Sequence, residues 1–272
     1  MENYRTFYEE VGERYAEEET VYGTLSGRLR KAFIVERIKS WSGSFLDIGC
    51  NRGIYLKGYR GGRKAGADLS FAVLKPLRRE NPSLNLVVAD AQALDCFRDS
   101  SFECILCSEV LEHVPLPDRV ISAIHRLLKP NGRALITTPN YRNRRPEWTD
   151  LGFLKGCGIQ GVKGERYFHT AFRPEELEIM GQKAGLRVVN KGTLEKEIRY
   201  AAKIPALIFI VFRQFNRWTF KSGSFDRINQ EFYSSFTLSI YRILHLAGVD
   251  LLLNRWISEG VRSFIILEKS NP

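Results

Sequence analysis

The chain has 272 residues, of which 44% are hydrophobic, so it can bury a full core in one large domain. Its net charge of +10 favours acidic partners, such as anionic lipid, nucleic acid or a phosphorylated substrate. Five cysteines without regular spacing argue against a disulfide framework, and the polar first residues do not resemble a secretory signal, so we expect a reduced, cytoplasmic protein.

The first predicted element in chain order is an amphipathic helix. Phe7, Tyr8, Val11 and Tyr15 recur at helical spacing and can share one face. Periodicity alone leaves two interpretations open, because this face could pack on a sheet or cover a bound ligand.

A turn rich in glycine follows the first apolar strand, which begins at Phe45. Gly49 and Gly53 allow a tight turn and a close approach of the backbone to a ligand. Asn51 lies between them, and asparagine tolerates a positive φ. Because the next helix begins here with free N–H groups, the pattern predicts a nucleotide-type binding loop. The spacing departs from the G-x-G-x-x-G of dinucleotide-binding proteins.

Four further short apolar runs follow, separated by helix-sized segments, and this alternation predicts a doubly wound parallel sheet. The second strand ends at Asp68, whose carboxylate could accept hydrogen bonds from ribose hydroxyls, and Ser70 then fits a helix N-cap. The third strand ends at Asp90 and the fourth at Ser108. The fifth follows a turn at residues 129–132.

The order of these motifs resembles that of class I S-adenosylmethionine (SAM) methyltransferases over roughly residues 40–195. The segments 108–113 and 169–177 are similar to those of the small-molecule branch, which includes ubiquinone and menaquinone biosynthesis enzymes. The resemblance implies SAM as cofactor and methyl transfer to oxygen of a small-molecule or lipid-like acceptor. It also implies a seven-stranded, mostly parallel α/β sheet. The implied cofactor-binding residues are Asp47, Gly49, Cys50, Asn51, Gly53, Asp68, Leu69, Asp90, Ala91 and Ser108.

The same resemblance suggests a division of the chain. Residues 41–195 would form the SAM-binding core, and residues 1–40 a helical lid over it. Family members pass almost directly from the sixth strand to the seventh, whereas here a helical insertion at residues 196–259 separates them. Residues 260–272 would then supply the final strand.

His169 is the candidate general base. It lies between the fifth strand and the helix that begins at Pro174, on the edge of the sheet where ligands bind, and an imidazole titrates near neutral pH. The alternative is a loop histidine with a structural role.

Glu109, Glu112 and His113 raise the question of a metal. Their spacing would place them on one face of a short helix, and the segment resembles one that binds a divalent cation in ubiquinone-pathway relatives. Carboxylates would suit Mg²⁺ or Mn²⁺. Helix capping and ion pairing explain these residues better, so we assign no metal.

Cys104 and Cys107 form a C-x-x-C within a strand, where they would face opposite sides. This placement argues against a redox or metal role for the pair.

The insertion contains an apolar run, Ile204–Phe212, that is too short to span a bilayer, which takes about 20 residues. Its flank mixes Arg, Lys, Trp and Phe, as interfacial segments do. The insertion could contact an anionic membrane surface and select an apolar acceptor. It could equally be a cap or a subunit interface, and the oligomeric state stays open.

Two other function classes fit parts of the sequence. Net charge favours a nucleic-acid methyltransferase, but the [DNS]-P-P-[YFW] motif for flipped-base amines is absent where Ser108–Leu111 stands, so nucleic acid is disfavoured. RNA methylation of another type and a non-catalytic SAM-binding subunit remain as alternatives.

Overall fold

A computed structural model describes residues 2–15 and 17–271 of the chain. The predicted segment ends at residues 1 and 272 lie outside the described residues, as does residue 16 within the predicted lid. The helices are α1 (Glu2–Arg14), α2 (Glu17–Gly23), α3 (Leu25–Ile38), α4 (Ile54–Gly58), α5 (Phe71–Glu80), α6 (Pro117–Leu127), α7 (Pro174–Lys183), α8 (Ile198–Ala201), α9 (Lys203–Trp218), α10 (Gly223–Leu246) and α11 (Val249–Trp256). The strands are β1 (Phe45–Ile48), β2 (Lys64–Asp68), β3 (Asn85–Val88), β4 (Phe102–Ser108), β5 (Leu128–Pro139), β6 (Trp148–Asp150), β7 (Arg166–Phe168), β8 (Leu186–Leu194) and β9 (Arg262–Lys269).

Seven of these strands form one sheet in the order β3-β2-β1-β4-β5-β9-β8. The first five pair in parallel, whereas β9 runs antiparallel between β5 and β8. The seven-stranded, mostly parallel sheet with a helical insertion before its last strand is therefore confirmed. Strands β6 and β7 form a separate small hairpin that the sequence did not predict.

Helices cover both faces of the sheet, and each face has its own apolar core. On one face, α6 and α7 pack against side chains such as Ile105, Ile136 and Ile265. On the other face, α3, α4 and α5 pack against Phe45, Leu106 and Phe264. This two-sided burial explains why the strands read as short, continuous apolar runs.

Helix α3 belongs to the core rather than to a lid. Ile34 and Ile38 are buried against the sheet in the same cluster as Phe45. The predicted lid over residues 1–40 is therefore too broad, and only the residues before α3 remain candidates for it.

The two cysteines of the C-x-x-C lie on opposite faces of the sheet, as predicted. Cys104 belongs to the core under α3, and Cys107 to the core under α6. Burial raises the pKa of the Cys104 thiol to about 11 and that of Cys107 as well. Both thiols are free and protonated, which argues against a redox or metal role for the pair.

Four helices, α8 to α11, fill the insertion between β8 and β9. Helices α9 and α10 form an antiparallel hairpin, in which the Asn229 side-chain amide donates a 3.0 Å hydrogen bond to the Phe209 carbonyl. Helix α10 also contacts α3 and the 3₁₀ turn Gly152–Cys157. No single helix in the described ranges could cross a bilayer by length and composition, whereas the pair α10–α11, bent by 104°, passes that test together.

Candidate active site

The glycine turn after β1 adopts the conformation that its sequence predicted. Gly49, Asn51 and Gly53 have φ values of 71°, 45° and 74°, the left-handed region that glycine and asparagine tolerate. The N–H groups of Gly49 and Cys50 both donate to the Ala67 carbonyl of β2. A Cβ on Gly49 would lie 2.3 Å from a Val110 methyl group, so no larger residue fits there.

Asp68, at the end of β2, holds this turn in place. One carboxylate oxygen accepts a 2.8 Å hydrogen bond from the Asn51 N–H, and the other accepts a 3.0 Å bond from the Ser70 N–H. Burial raises its pKa, although these backbone bonds oppose the shift. Leu69 follows it directly, half-buried at the same edge.

Asp47 is buried inside β1, next to the turn. Burial raises its pKa well above the usual range, and the charge of Asp68 adds to the effect. Its Oδ2 is buried without a hydrogen-bond partner among the described residues. A buried oxygen without a partner is costly, so this atom is a ready acceptor for a ligand donor.

The remaining predicted cofactor residues lie at the same edge. Asp90 follows β3, where its Oδ1 accepts a 2.8 Å hydrogen bond from the Gln92 N–H, and Ala91 packs against the core beside it. Ser108 ends β4 and its hydroxyl lies 2.9 Å from that of Thr137. Because β3, β2, β1 and β4 are neighbours, the structure brings all ten predicted residues to one edge of the sheet.

Helix α1 lies across this edge. The Glu9 carboxylate accepts hydrogen bonds of 2.7 and 3.0 Å from the N–H groups of Phe71 and Ala72, the first turn of α5. Glu9 therefore caps α5, whereas Ser70, the predicted N-cap, occupies the cap position without a side-chain bond. Burial and then the charges of Asp90, Glu112 and Asp68 raise the pKa of the Tyr4 hydroxyl.

The other side of α1 packs on the segment between β6 and β7. Phe7 is buried with Leu151, Leu154 and Ile159, and Tyr8, Val11 and Tyr15 pack against the same cluster. The predicted shared face is therefore real, but it packs on this segment and not on the sheet.

Glu109 does not share a helix face with Glu112 and His113, so that prediction was wrong. It precedes the 3₁₀ turn Leu111–His113 and has a φ of 56°, so it does not belong to the turn that holds Glu112 and His113. Its Oε2 accepts hydrogen bonds of 2.8 Å from Arg30 and 2.7 Å from Arg262. Burial would raise the pKa of Glu109, but the charges of Arg262 and Arg30 outweigh it and keep the carboxylate ionised.

Glu112, His113 and His169 come together instead. One ligand atom from each lies within 4.8 Å of the others. Burial and the charge of Glu109 raise the pKa of Glu112, whose Oε2 accepts a 3.3 Å bond from the Thr138 hydroxyl. Burial and then the charge of His169 lower the pKa of His113 to about 3, and burial and Arg262 lower that of His169. Both imidazoles are therefore neutral near neutral pH.

The set of three does not reproduce the cation-binding segment that the sequence resembles. Glu109, which that segment would need, is already engaged by two guanidinium groups. The remaining donors are two imidazoles and one carboxylate, a set that could hold a metal but suits Mg²⁺ poorly, because Mg²⁺ prefers oxygen ligands.

Known proteins resemble the chain in sequence and in fold. A family model described as a methyltransferase domain matches residues 46–136. The ubiquinone biosynthesis O-methyltransferase of Pseudomonas aeruginosa (strain UCBPP-PA14) is 30% identical over 191 residues, which cover 66% of this chain and 81% of that protein. The chain belongs to the SAM-dependent methyltransferases.

Solved structures of other methyltransferases have a fold similar to that of this chain. Phosphoethanolamine N-methyltransferase 2 of Haemonchus contortus has a TM-score of 0.54 at 17% identity, covering 98% of this chain and 61% of that one. The 1,6-didemethyltoxoflavin-N1-methyltransferase of Burkholderia thailandensis has a TM-score of 0.50 at 14% identity, covering 89% and 77%. At these identities the likeness establishes the fold alone.

SAM is the cofactor of this methyltransferase, and the residues at the edge fit it. Asp68 can accept hydrogen bonds from ribose hydroxyls, and the Oδ2 of Asp47 has no hydrogen-bond partner among the described residues. Asp90 and Ser108 lie at the same edge, where the strands on either side of β2 and β1 end.

Sequence reasoning missed several charged residues near Glu109. Arg30 and Arg262 bind Glu109 from α3 and β9, and Glu195, after β8, accepts a hydrogen bond from Ser26. Buried charged residues are unusual, but their burial shows only in the structure, so the sequence offered no signal for these residues.

Proposed function

We propose that this methyltransferase methylates a hydroxyl oxygen on a small, apolar and aromatic acceptor, with His169 as general base. The observation that carries the proposal is a series of aromatic rings beside His169. It supports an aromatic acceptor, because a flat ring packs well against other rings and gains about 0.5–1.5 kcal/mol beyond its buried area.

The rings come from three parts of the chain. Tyr4 and Tyr8 of α1 have centroids 4.7 Å apart, and Tyr8 lies 5.5 Å from His113. The His113 and His169 rings are 4.9 Å apart. Tyr167 lies 5.8 Å from His169 and 5.2 Å from Phe7. Helix α1 thus contributes three of the six rings.

His169 is a better candidate for the base than His113. The Nδ1 of His113 is 2.9 Å from the Tyr8 hydroxyl, and its Nε2 lies 3.9 Å from Glu112. His169 is held by its backbone N–H, which donates to the Glu147 carbonyl, and its neutral imidazole can accept a proton.

Methyl transfer from SAM requires few further catalytic groups. SAM supplies a methyl group that is already activated. The chain must align the acceptor oxygen, take up its proton and exclude water. Tyr4, Tyr8 and Phe7 would exclude water from above, which makes α1 the lid in this proposal.

We also propose that the enzyme works in the cytoplasm, at a membrane surface, on a lipid-like acceptor. Its free cysteines fit a reducing compartment. The apolar insertion supports a membrane-resident acceptor, which could enter the site without crossing water.

Labelled SAM tests the proposal. The enzyme is incubated with methyl-labelled SAM and separate lipid, polar-metabolite and RNA extracts, and products are identified by mass spectrometry. We expect label in the lipid fraction, on oxygen, and roughly 10²–10⁴-fold slower labelling with His169→Ala. Label on nitrogen, in the polar metabolites or in RNA alone would overturn the proposal.

A further inference from the structure

Exposed apolar side chains are concentrated in the insertion. Of the large hydrophobic residues that are exposed in the described part of the chain, sixteen of twenty-two lie between Ile204 and Trp256. The other six are scattered: Val35, Phe71, Leu116, Trp148, Ile179 and Val189. Single exposed apolar residues are ordinary, but a cluster of this size marks a surface that something covers.

Helix α9 carries the most regular part of this surface. Its exposed residues recur at helical spacing and form one stripe along the helix. They are Ile204, Leu207, Val211, Phe215 and Trp218, exposed by 61%, 65%, 57%, 47% and 77%. The opposite side of α9 is used by the fold, since Phe209 packs against Tyr233 of α10 with ring centroids 5.4 Å apart. The stripe therefore faces outward.

A second apolar part lies where α10 bends into α11. Leu246 is 87% exposed, Leu251 71% and Trp256 81%. Asp250, at the same bend, is turned inward and lies 2.7 Å from Nδ1 of His245. The bend thus buries its carboxylate and exposes its apolar side chains, the reverse of a water-facing surface.

Basic residues accompany the apolar ones. Residues 196–259 contain nine lysines and arginines against five aspartates and glutamates. Lys203, Arg217 and Lys221 are exposed at the two ends of α9. At the start of the insertion, burial and then the charge of Arg142 lower the pKa of Arg199, and Arg173 donates to the Arg142 carbonyl, so three arginines lie close together.

We propose that the α9 stripe and the α10–α11 bend form a docking surface for a membrane rich in anionic phospholipid. Charge decides between a membrane and a second copy of the chain. Two copies would bring like charges together, whereas lipid phosphates would neutralise them. Exposed tryptophans at Trp218 and Trp256 also suit the membrane–water interface. The surface deepens the membrane location proposed above and rests on it, but vesicle binding is measured separately from methyl transfer, whichever atom accepts the methyl group.

Vesicle flotation with the full chain tests the surface. We expect wild-type protein to float with phosphatidylglycerol/phosphatidylcholine vesicles, and less so at high salt or with phosphatidylcholine alone. Leu207→Glu/Val211→Glu should bind these vesicles at least about tenfold more weakly, since charges on the buried side of an interfacial helix oppose its insertion. SAM affinity and melting temperature should stay unchanged.

The matched control is Ile179→Glu, on α7 outside the insertion and 63% exposed in the wild type. It should float like wild type. Because a double variant could misfold, two further measurements are independent of it. Trp218→Ser should bind the vesicles more weakly, and the tryptophan fluorescence of wild type should shift to the blue when vesicles are added.

Sedimentation velocity tests the alternative that the surface joins two copies of the chain. If wild type does not float but is a dimer that Leu207→Glu/Val211→Glu makes monomeric, the surface is a subunit interface and the proposal is overturned. Failure to float as a monomer would overturn it equally.

Discussion

The hydroxyl of Tyr8 lies 2.9 Å from Nδ1 of His113, across 105 residues of sequence. This contact joins α1 to the loop after β4, in the half of the site where the acceptor would bind. On its other side, α1 reaches the cofactor half through Glu9. One helix thus touches both halves of the site, and we expect its docking to affect both substrates.

The first prediction concerns Glu9. Glu9→Ala removes the acceptor for two N–H groups of α5 and should lower the free energy of unfolding by about 0.5–2 kcal/mol, as other N-cap losses do. It should also weaken SAM binding, because α5 follows Asp68. Urea unfolding and calorimetry measure the two effects. The neighbouring variant Glu10→Ala serves as control, and equal behaviour of the two variants would contradict the capping role.

The second prediction concerns the cofactor. Asp68→Ala should weaken SAM binding by about 10- to 150-fold, since hydrogen bonds to a charged group contribute about 1.5–3 kcal/mol. The same change removes the acceptor for Asn51 N–H and Ser70 N–H, so Asp68→Asn, which keeps the shape, should lose less. Calorimetry on folded variants checks both, and an unchanged affinity in Asp68→Ala would refute the assignment.

The third prediction concerns the base. His169→Ala should lower the turnover rate by roughly 10²–10⁴-fold and leave SAM affinity nearly intact. His125→Ala, on α6 and away from the site, is the matched control. A loss of only a few-fold in His169→Ala would make the residue a structural part of its loop.

The fourth prediction concerns pH. Burial and Arg262 lower the pKa of His169, so the base form persists below the ordinary imidazole value of about 6.5. The acid limb of kcat/KM should therefore have its midpoint under that value. Arg262→Gln removes a cation and leaves the Glu109 charge, so it should raise the midpoint. Arg187→Gln, on the far edge of the sheet, is the control and should leave the midpoint unchanged. A midpoint that Arg262→Gln does not move would argue against His169 as the base.

The fifth prediction concerns metal. Because Glu109 is held by Arg30 and Arg262, we expect activity to survive exhaustive chelation and not to rise with added Mg²⁺. Initial rates with and without chelator measure this. Activity that needs Mg²⁺ and is lost in Glu112→Ala would instead assign the group around Glu112 to a cation.

The sheet and its cofactor edge were predictable because their signals are local. Each strand is a short apolar run, and the residues after Ile48, Asp68 and Val88 meet at one edge simply because parallel strands end together. Asn51 was also predictable, since few residues other than glycine accept its φ.

The acceptor half was less predictable, because its contacts join distant positions. Arg30 and Glu109 are 79 residues apart, and Arg262 and Glu109 are 153 apart. Instead of the expected helix, Glu109 has a left-handed backbone, and both arginines bind its carboxylate. The hairpin β6–β7 has strands of three residues, too short for a periodic pattern to show.

The position of β9 has a consequence for synthesis on the ribosome. In the sheet, β9 lies between β5 and β8 and pairs with both of them. In the chain, however, β9 comes after the whole apolar insertion. Until residues 262–269 emerge, the nascent chain exposes two unpaired strand edges together with the insertion's apolar helices. Pairing over such sequence distances is slow, and exposed edges of this kind promote aggregation. Arg262 arrives with the same strand, so the acceptor half of the site is the last part to assemble, and chaperone capture or low-temperature expression should raise the yield of active enzyme.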